Sequence, residues 1–168
     1  MEFVVAHTAE GAATLSWPGG CAACAIGHGG IRADKREGDG ATPAGRFLLR
    51  EAMYRPDRLA SPPTRLPLRA LAETDGWCDD PADAAYNRHV RLPHPARCER
   101  LWRADGLYDV LIVLGYNDDP VMPGRGSAIF IHVAAPGFAP TEGCVALALP
   151  DLLALAAAAG PGDALVTG

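Results

Sequence analysis

The chain has 168 residues, of which 49% are hydrophobic and 21% charged, and this composition fits a globular protein with one domain over residues 1–168. A net charge of −5 without a basic run argues against a nucleic-acid partner. No apolar run reaches the ~18 residues that a transmembrane helix needs, so we expect no membrane span.

The N-terminus lacks the pattern of a secretory signal peptide. Residues 1–7 carry no basic segment, and Glu10 follows too soon for an apolar core of sufficient length. Either the protein stays inside the cell or Met1 is not the start of the primary product. The sequence therefore leaves the localisation open.

The first third of the chain predicts a meander of short strands. Alternating and β-branched residues predict strands at 3–8, 12–17, 21–27 and 46–50. Turns at 9–11 and 18–20 join the first three. The segment 28–45 is rich in glycine and proline, which predicts an irregular loop.

The five cysteines are an odd number, so at least one thiol is unpaired within a monomer, and we assign that thiol to Cys144. Cys21 and Cys24 have the C-x-x-C spacing of a redox or zinc site. No second C-x-x-C follows, and the two alanines between them belong to an apolar run. We therefore predict two buried strand thiols and expect neither a metal nor another cofactor. A thiol redox centre would require both thiols to be exposed.

A long loop-rich insertion is predicted over about 52–105. Seven prolines among many Asp and Arg residues disfavour regular core elements there. Loops of this length in a compact domain are typically functional or mobile. We interpret the segment as a wall or lid of the functional site.

The second half of the chain predicts four further elements of a mostly β fold. A buried strand at 107–114 and a strand at 128–133 are joined by a turn-rich connection, so they are expected to be neighbours. A helix is predicted from Pro150 to Ala159, since proline suits the first helical turn. A closing strand is predicted at 163–167.

His132 and Cys144 form the candidate catalytic pair. His132 lies on the face of its strand opposite Ile131, and a loop with a turn at Gly143 leads back to Cys144. A free thiol has a pKa near ~8.5, so a catalytic cysteine needs a neighbouring imidazole. The N–H groups of Gly143 and Cys144 can then face a developing oxyanion. The alternative is a buried structural cysteine and a hydrogen-bonded strand histidine.

These motifs resemble a divergent branch of the L,D-transpeptidase (YkuD-like) catalytic domain family. Its signature is a histidine, a loop, and Ser/Thr-His-Gly-Cys followed by an aliphatic residue and usually arginine. The counterparts are His132 and the TEGCVA segment at 141–146, and the TPAGRF segment at 42–47 is similar to the family's Thr-Pro-x-Gly-x-Phe turn. Glu142 stands where the family usually has histidine, and Ala146 where it usually has arginine.

The resemblance implies a YkuD-like β-sandwich or barrel, with one short helix after the cysteine, acting on peptidoglycan stem peptides. Cys144 would attack the carbonyl after diaminopimelate and expel D-alanine, with His132 as base. An amine acceptor makes this a transpeptidase, and water makes it an L,D-carboxypeptidase or endopeptidase. A non-catalytic wall-peptide binding module is a further alternative. Related enzymes work in the periplasm or cell envelope and are acylated by carbapenems, so covalent inhibition is expected.

Six residues are candidate substrate contacts: Thr141, Glu142, Tyr116, Trp77, Arg125 and Arg88. The Glu142 carboxylate either binds a substrate ammonium or raises the pKa of the nearby thiol. The two arginines either replace the missing family arginine or are solvated loop residues. For Trp77, anchoring of its own loop is equally open.

Overall fold

The structure is a computed structural model that describes residues 1–7 and 13–168. The predicted turn at 9–11 lies outside the described residues. Within them the fold is mostly β, with strands β1 (Glu2–His7), β2 (Ala13–Trp17), β3 (Gly20–Ala25), β4 (Ile31–Arg32), β5 (Thr42–Pro43), β6 (Gly45–Tyr54), β7 (Leu68–Ala70), β8 (Asp75–Cys78), β9 (His89–Arg91), β10 (Cys98–Arg100), β11 (Val110–Leu114), β12 (Phe130–Val133), β13 (Val145–Leu147) and β14 (Ala164–Thr167). A 3₁₀ turn spans Pro136–Phe138, and the α-helix α1 spans Leu149–Ala158.

The main sheet has nine strands in the order β11-β12-β13-β3-β2-β1-β14-β6-β7. The long strand β6 closes this sheet on itself, because its first half pairs with β14 and its second half with β11. The result is a barrel-like arrangement, with β7 added in parallel to β6. The predicted mostly β sandwich or barrel with one short helix after the cysteine is confirmed.

The strands β11 and β12 are apolar on both faces because each lies between two cores. Ile112 and Ile131 pack in the first core together with Leu152 of α1. Leu111 and Phe130 point the other way, into a second core. The predicted pairing of these two strands is confirmed, and it is antiparallel. The second core includes Cys144, the predicted nucleophile.

The predicted excursion at 52–105 is more regular than the sequence indicates. β6 continues to Tyr54, and β8, β9 and β10 form a separate three-stranded sheet. Trp77 and Leu101 of this segment are buried in the second core. Each of these strands has only three or four residues, too few for an alternating pattern to stand out between the prolines. The predicted loop at 28–45 likewise contains two short strands, β4 and β5.

The C-x-x-C segment places its two thiols on opposite faces of β3. Residues three apart in a strand point to opposite sides, and Cys24 is buried while Cys21 is exposed. The predicted burial is therefore confirmed for Cys24 and wrong for Cys21. All five cysteines lie in the described part of the chain, and all are free thiols.

The helix α1 begins one residue earlier than predicted and lays an apolar face on the first core. Asp151 lies in its first turn, where a negative charge is favoured by the helix dipole. Leu152 and Leu155 are fully buried. Among the described residues, no helix combines the length and the apolar character that a membrane crossing requires.

Candidate active site

Two neighbouring parallel strands bring His132 and Cys144 to the same face of the main sheet. β12 and β13 pair in a register that sets His132 opposite Ala146. Cys144 lies two residues before Ala146, so its side chain projects to the face that carries His132. The crossover at 134–143, which contains the 3₁₀ turn, makes this parallel connection possible.

His132 and Cys144 line one cavity of about 480 Å³. The crossover forms part of its wall. The excursion contributes Glu99 and Arg103, so this segment forms a wall of the site, as the sequence interpretation expected. The two reactive side chains share a single hollow.

The imidazole of His132 is oriented by its own strand. Nδ1 lies 2.8 Å from the Val133 carbonyl oxygen, which accepts the Nδ1 proton. The Tyr108 ring packs edge-on against the imidazole at 5.2 Å. Burial lowers the pKa of His132 below its usual value of 6.5. The imidazole is therefore neutral near pH 7, with Nε2 free of that backbone bond and able to accept a proton.

The thiol of Cys144 is held by backbone groups. Sγ donates to the Ala128 carbonyl oxygen and accepts from the Phe130 N–H, both at 3.3 Å. No hydrogen bond joins Sγ to His132 in the part of the chain that the structure describes. Burial above all, and then the Glu99 carboxylate, raise the pKa of Cys144 to about 12. The resting site therefore pairs a protonated thiol with a neutral imidazole.

The turn before Cys144 is fixed by Thr141 and requires glycine at 143. The Thr141 hydroxyl donates to the Cys144 carbonyl oxygen at 2.6 Å and accepts from the Gly143 N–H at 3.1 Å. Gly143 has φ of +134°, and a Cβ there would lie 2.7 Å from the Ala41 carbonyl oxygen. Because the Gly143 N–H is already bound, the Cys144 N–H is the backbone donor left for an oxyanion.

Replacing Gly143 with alanine is expected to lower the free energy of unfolding by at least ~2 kcal/mol, because the clash adds to the cost of the positive φ. Gly162→Ala is the matched control, since Gly162 has φ of +86° with open space around its Cβ position. Urea denaturation of both variants measures the difference. Equal losses would show that the Ala41 carbonyl imposes no constraint on residue 143.

The two departures from the family motif have different structural settings. The Glu142 side chain is 88% exposed at the cavity, and its carboxylate lies 3.1 Å from Nε2 of His28. The carboxylate that raises the pKa of Cys144 is that of Glu99. Ala146 is fully buried between neighbouring strands. Its side chain projects to the face of the sheet that carries His132 and Cys144, but the methyl group does not reach the cavity lining.

Four predicted substrate contacts lie away from the lining of this cavity. Trp77 is buried behind it, where its ring meets Phe130 at 5.1 Å and its Nε1–H donates to Asn87. The Tyr116 hydroxyl donates to the carbonyl oxygen of Arg125, whose side chain is exposed. Arg88 is exposed and donates to the Asp118 carbonyl oxygen at 3.0 Å. The structure thus gives Trp77 and Tyr116 packing partners outside the hollow.

Sequence reasoning missed two residues beside the pair, Tyr108 and Glu99. The Tyr108 hydroxyl donates to the Glu99 carboxylate at 2.5 Å, and the phenol ring borders His132. Burial raises the pKa of Glu99. Tyr108 is the second residue of the predicted strand at 107–114, and this strand pattern indicates only a packing role for it. Glu99 lies in the three-residue strand β10. It reaches the cavity only because the three-stranded sheet packs against the second core.

The cavity lining is predominantly acidic. Its carboxylates outnumber its cationic side chains, with Glu37, Asp79, Glu99 and Glu142 against Lys35 and Arg103. Both cations have carboxylate partners, Asp39 for Lys35 and Asp105 for Arg103, each at 2.5 Å. The hollow therefore favours a ligand that presents an ammonium group over one that adds a carboxylate there.

Comparison with known proteins identifies the family of the chain. The family model of YkuD, the L,D-transpeptidase catalytic domain, matches residues 3–167. Searches of curated proteins and of solved structures find no match. The match covers nearly the whole chain, including the strand with His132 and the turn with Cys144. The chain therefore belongs to the YkuD family of L,D-transpeptidase catalytic domains.

Proposed function

We propose that residues 1–168 form one catalytic domain that transfers acyl groups of peptidoglycan stem peptides through a thioester on Cys144. The observation that carries this proposal is that Cys144 and His132 line the same cavity, with His132 oriented by the Val133 carbonyl. The acidic lining supports it as well, because diaminopimelate carries an ammonium group that carboxylates can bind.

The first half-reaction forms the thioester. The Cys144 thiol turns from the Ala128 carbonyl and gives its proton to Nε2 of His132. At the same time Sγ attacks the carbonyl carbon of diaminopimelate that is bonded to the nitrogen of D-alanine. The Cys144 N–H donates to the resulting oxyanion. Collapse of this intermediate breaks the C–N bond, and the imidazolium protonates the departing amine of D-alanine.

The second half-reaction releases the acyl group. An amine of another stem peptide attacks the thioester carbonyl, and His132 accepts the proton of that amine. The C–S bond breaks, and the thiolate recovers its proton from the imidazolium. The same residues act on water as acceptor, in which case the product is the hydrolysed tripeptide.

The high pKa of the resting thiol means that proton transfer and attack are coupled. With a pKa of about 12, only about 1 thiol in 10⁵ is ionised at pH 7. A preformed thiolate is therefore scarce in the free protein. His132 must take the proton as substrate enters, and its lowered pKa leaves it in the neutral form that can do so.

Glu99→Gln is expected to raise the rate of Cys144 alkylation at neutral pH, because it removes a negative charge that disfavours the thiolate. Glutamine keeps an acceptor for the Tyr108 hydroxyl. Glu73→Gln is the control, since Glu73 is exposed in the same excursion. The measurement is the pH profile of iodoacetamide labelling, read by peptide mass. Superimposable profiles for the two variants would remove Glu99 from this role.

A non-catalytic wall-peptide binding module is the second candidate. The observation that favours it is the Cys144 thiol, which is 8% exposed and bonded to the backbone of Ala128 and Phe130. Such a module would use the acidic cavity to hold a peptide without forming a covalent bond to it.

Incubation with a defined stem tetrapeptide, with and without an acceptor stem, separates these functions. We expect release of D-alanine and formation of a cross-linked peptide when the acceptor is present. Tripeptide and D-alanine as the sole products, even with acceptor, would identify a hydrolase of the same mechanism. Saturable peptide binding without any product would identify the binding module.

A further inference from the structure

Three side chains with ligand atoms for a soft metal ion meet outside the active site. They are Cys78, His94 and Cys98, and their sulfur and ring nitrogen atoms all lie within 4.8 Å of one another. Cys78 is fully buried, whereas His94 and Cys98 are partly exposed. The proposed acyl transfer uses none of the three.

The small sheet of the excursion assembles this cluster. Antiparallel pairing of β8 with β10 sets Cys78 directly opposite Cys98. Directly opposed side chains have Cβ atoms about 4.5–5.5 Å apart and share a face of the sheet, which brings the two sulfurs together. His94 lies in the turn before β10, where its Nδ1 accepts a hydrogen bond from the Ala96 N–H at 3.2 Å. The Cys98 thiol donates to the Ala96 carbonyl oxygen at 3.4 Å.

The surroundings of the cluster are negatively charged. The carboxylates of Asp79 and Asp83 lie near the Cys98 thiol, and Asp79 is also paired with Arg97 at 3.0 Å. Two uncharged thiols gain little from such neighbours. A divalent cation at the centre of the cluster would interact favourably with both carboxylates and would displace the two thiol protons.

We propose that Cys78, His94 and Cys98 bind one zinc ion, with water as the fourth ligand. Two thiolates and an imidazole favour zinc over magnesium or calcium, which take oxygen ligands. Tetrahedral ligation with Zn–S of about 2.3 Å separates two sulfurs by about 3.8 Å. A sulfur and a nitrogen ligand lie about 3.6 Å apart in the same geometry, with Zn–N of about 2.0–2.1 Å. No side of the present triangle therefore has to contract by more than about 1.3 Å, and His94 lies in a turn that can make this adjustment.

The zinc site would join the small sheet to the wall of the catalytic cavity. Asp79 follows Cys78 directly, and Glu99 follows Cys98, and both carboxylates line the cavity. Metal binding would connect β8, β10 and the turn that carries His94, which lies between β9 and β10. It thereby holds these two carboxylates at a fixed separation, which is a positioning role independent of the acyl-transfer chemistry.

Titration of the reduced full-length protein with Co²⁺, followed by competition with Zn²⁺, tests this proposal without any activity assay. We expect one equivalent of Co²⁺ to give the thiolate-to-cobalt charge-transfer and visible bands of a tetrahedral sulfur site, and Zn²⁺ to abolish them. Loss of a residue that only hydrogen-bonds to a metal ligand costs about 10–100-fold in metal affinity, so loss of a ligand itself in Cys98→Ser or His94→Ala should weaken binding by at least ~100-fold. Both positions are partly exposed, which favours folded variants.

Cys21→Ser is the matched control, because Cys21 is an exposed thiol outside the cluster, and it should bind as the parent does. Three outcomes would overturn the proposal. They are the absence of the cobalt bands in reduced protein, unchanged binding in both cluster variants, and loss of binding in Cys144→Ser instead. Isolation of the protein with a Cys78–Cys98 disulfide that persists under mild reductant would also overturn it.

Discussion

Replacing Cys144 with serine is expected to lower kcat/KM for stem-peptide turnover by at least ~10³-fold, because a serine hydroxyl is a far weaker nucleophile without a dedicated activating site. The hydroxyl fits the same space and can donate to the Ala128 carbonyl as the thiol does. The fold should therefore be kept. Steady-state release of D-alanine from a tetrapeptide measures the effect.

The control for this variant is Cys24→Ser, which changes another buried thiol in β3 that lies outside the cavity lining. Its turnover should match the parent once thermal unfolding shows that it is folded. Parent-like turnover by folded Cys144→Ser would contradict a thioester mechanism. Turnover would then depend on a group other than Cys144, and the acidic cavity would serve only to bind the peptide.

Replacing His132 with glutamine is expected to lower kcat by about 10²–10⁴-fold, the usual contribution of a positioned general base. In the parent, the proposed general base is the neutral imidazole, and burial lowers its pKa below 6.5. The rate should therefore fall as the pH drops through that lowered pKa, which places the acidic limb of the kcat/KM profile below pH 6.5. The residual rate of His132→Gln should lack this limb.

His7→Gln is the matched control for the imidazole, since His7 is exposed at the end of β1. It should leave both the rate and the acidic limb unchanged. An acidic limb that persists in His132→Gln would assign the titration to another group. A limb centred well above pH 6.5 in the parent would contradict the lowered pKa.

The strand that carries His132, the predicted base, could be predicted because its pattern is local. Ile131 and Phe130 alternate between two apolar surroundings, and this alternation placed His132 on the face away from the first core before any contact was known. The strand β12 begins two residues later than predicted, because Ala128 has a positive φ of 54° and cannot continue a ladder. The parallel direction of β13 was not predictable, since it depends on the path of the crossover.

The strands of the excursion at 52–105 could not be predicted from the sequence, because they depend on packing against the rest of the domain. Its strands are held by the second core and by pairing across long sequence separations, as between Trp77 and Glu99. No window of the sequence contains both partners. For the same reason the contact of Tyr108 with Glu99 and the cluster around Cys78 had no local signal.

The role of Glu142, which stands where the family usually has histidine, could not be predicted from its place in the sequence. Glu142 was expected either to bind a substrate ammonium or to raise the pKa of the thiol, and its carboxylate is exposed at the cavity and faces His28. The turn at Gly143 carries the side chain outward. The carboxylate that raises the pKa of Cys144 is that of Glu99, which is distant in sequence and reaches the thiol only in the folded structure.

Intact-mass analysis of the protein after incubation with a carbapenem, followed by peptide mapping, tests the central claim most directly. The account predicts one covalent adduct per chain, located on Cys144, with its formation greatly slowed in His132→Gln and absent in Cys144→Ser. Reproducible absence of an adduct, while iodoacetamide still labels Cys144 in the same folded protein, would contradict it.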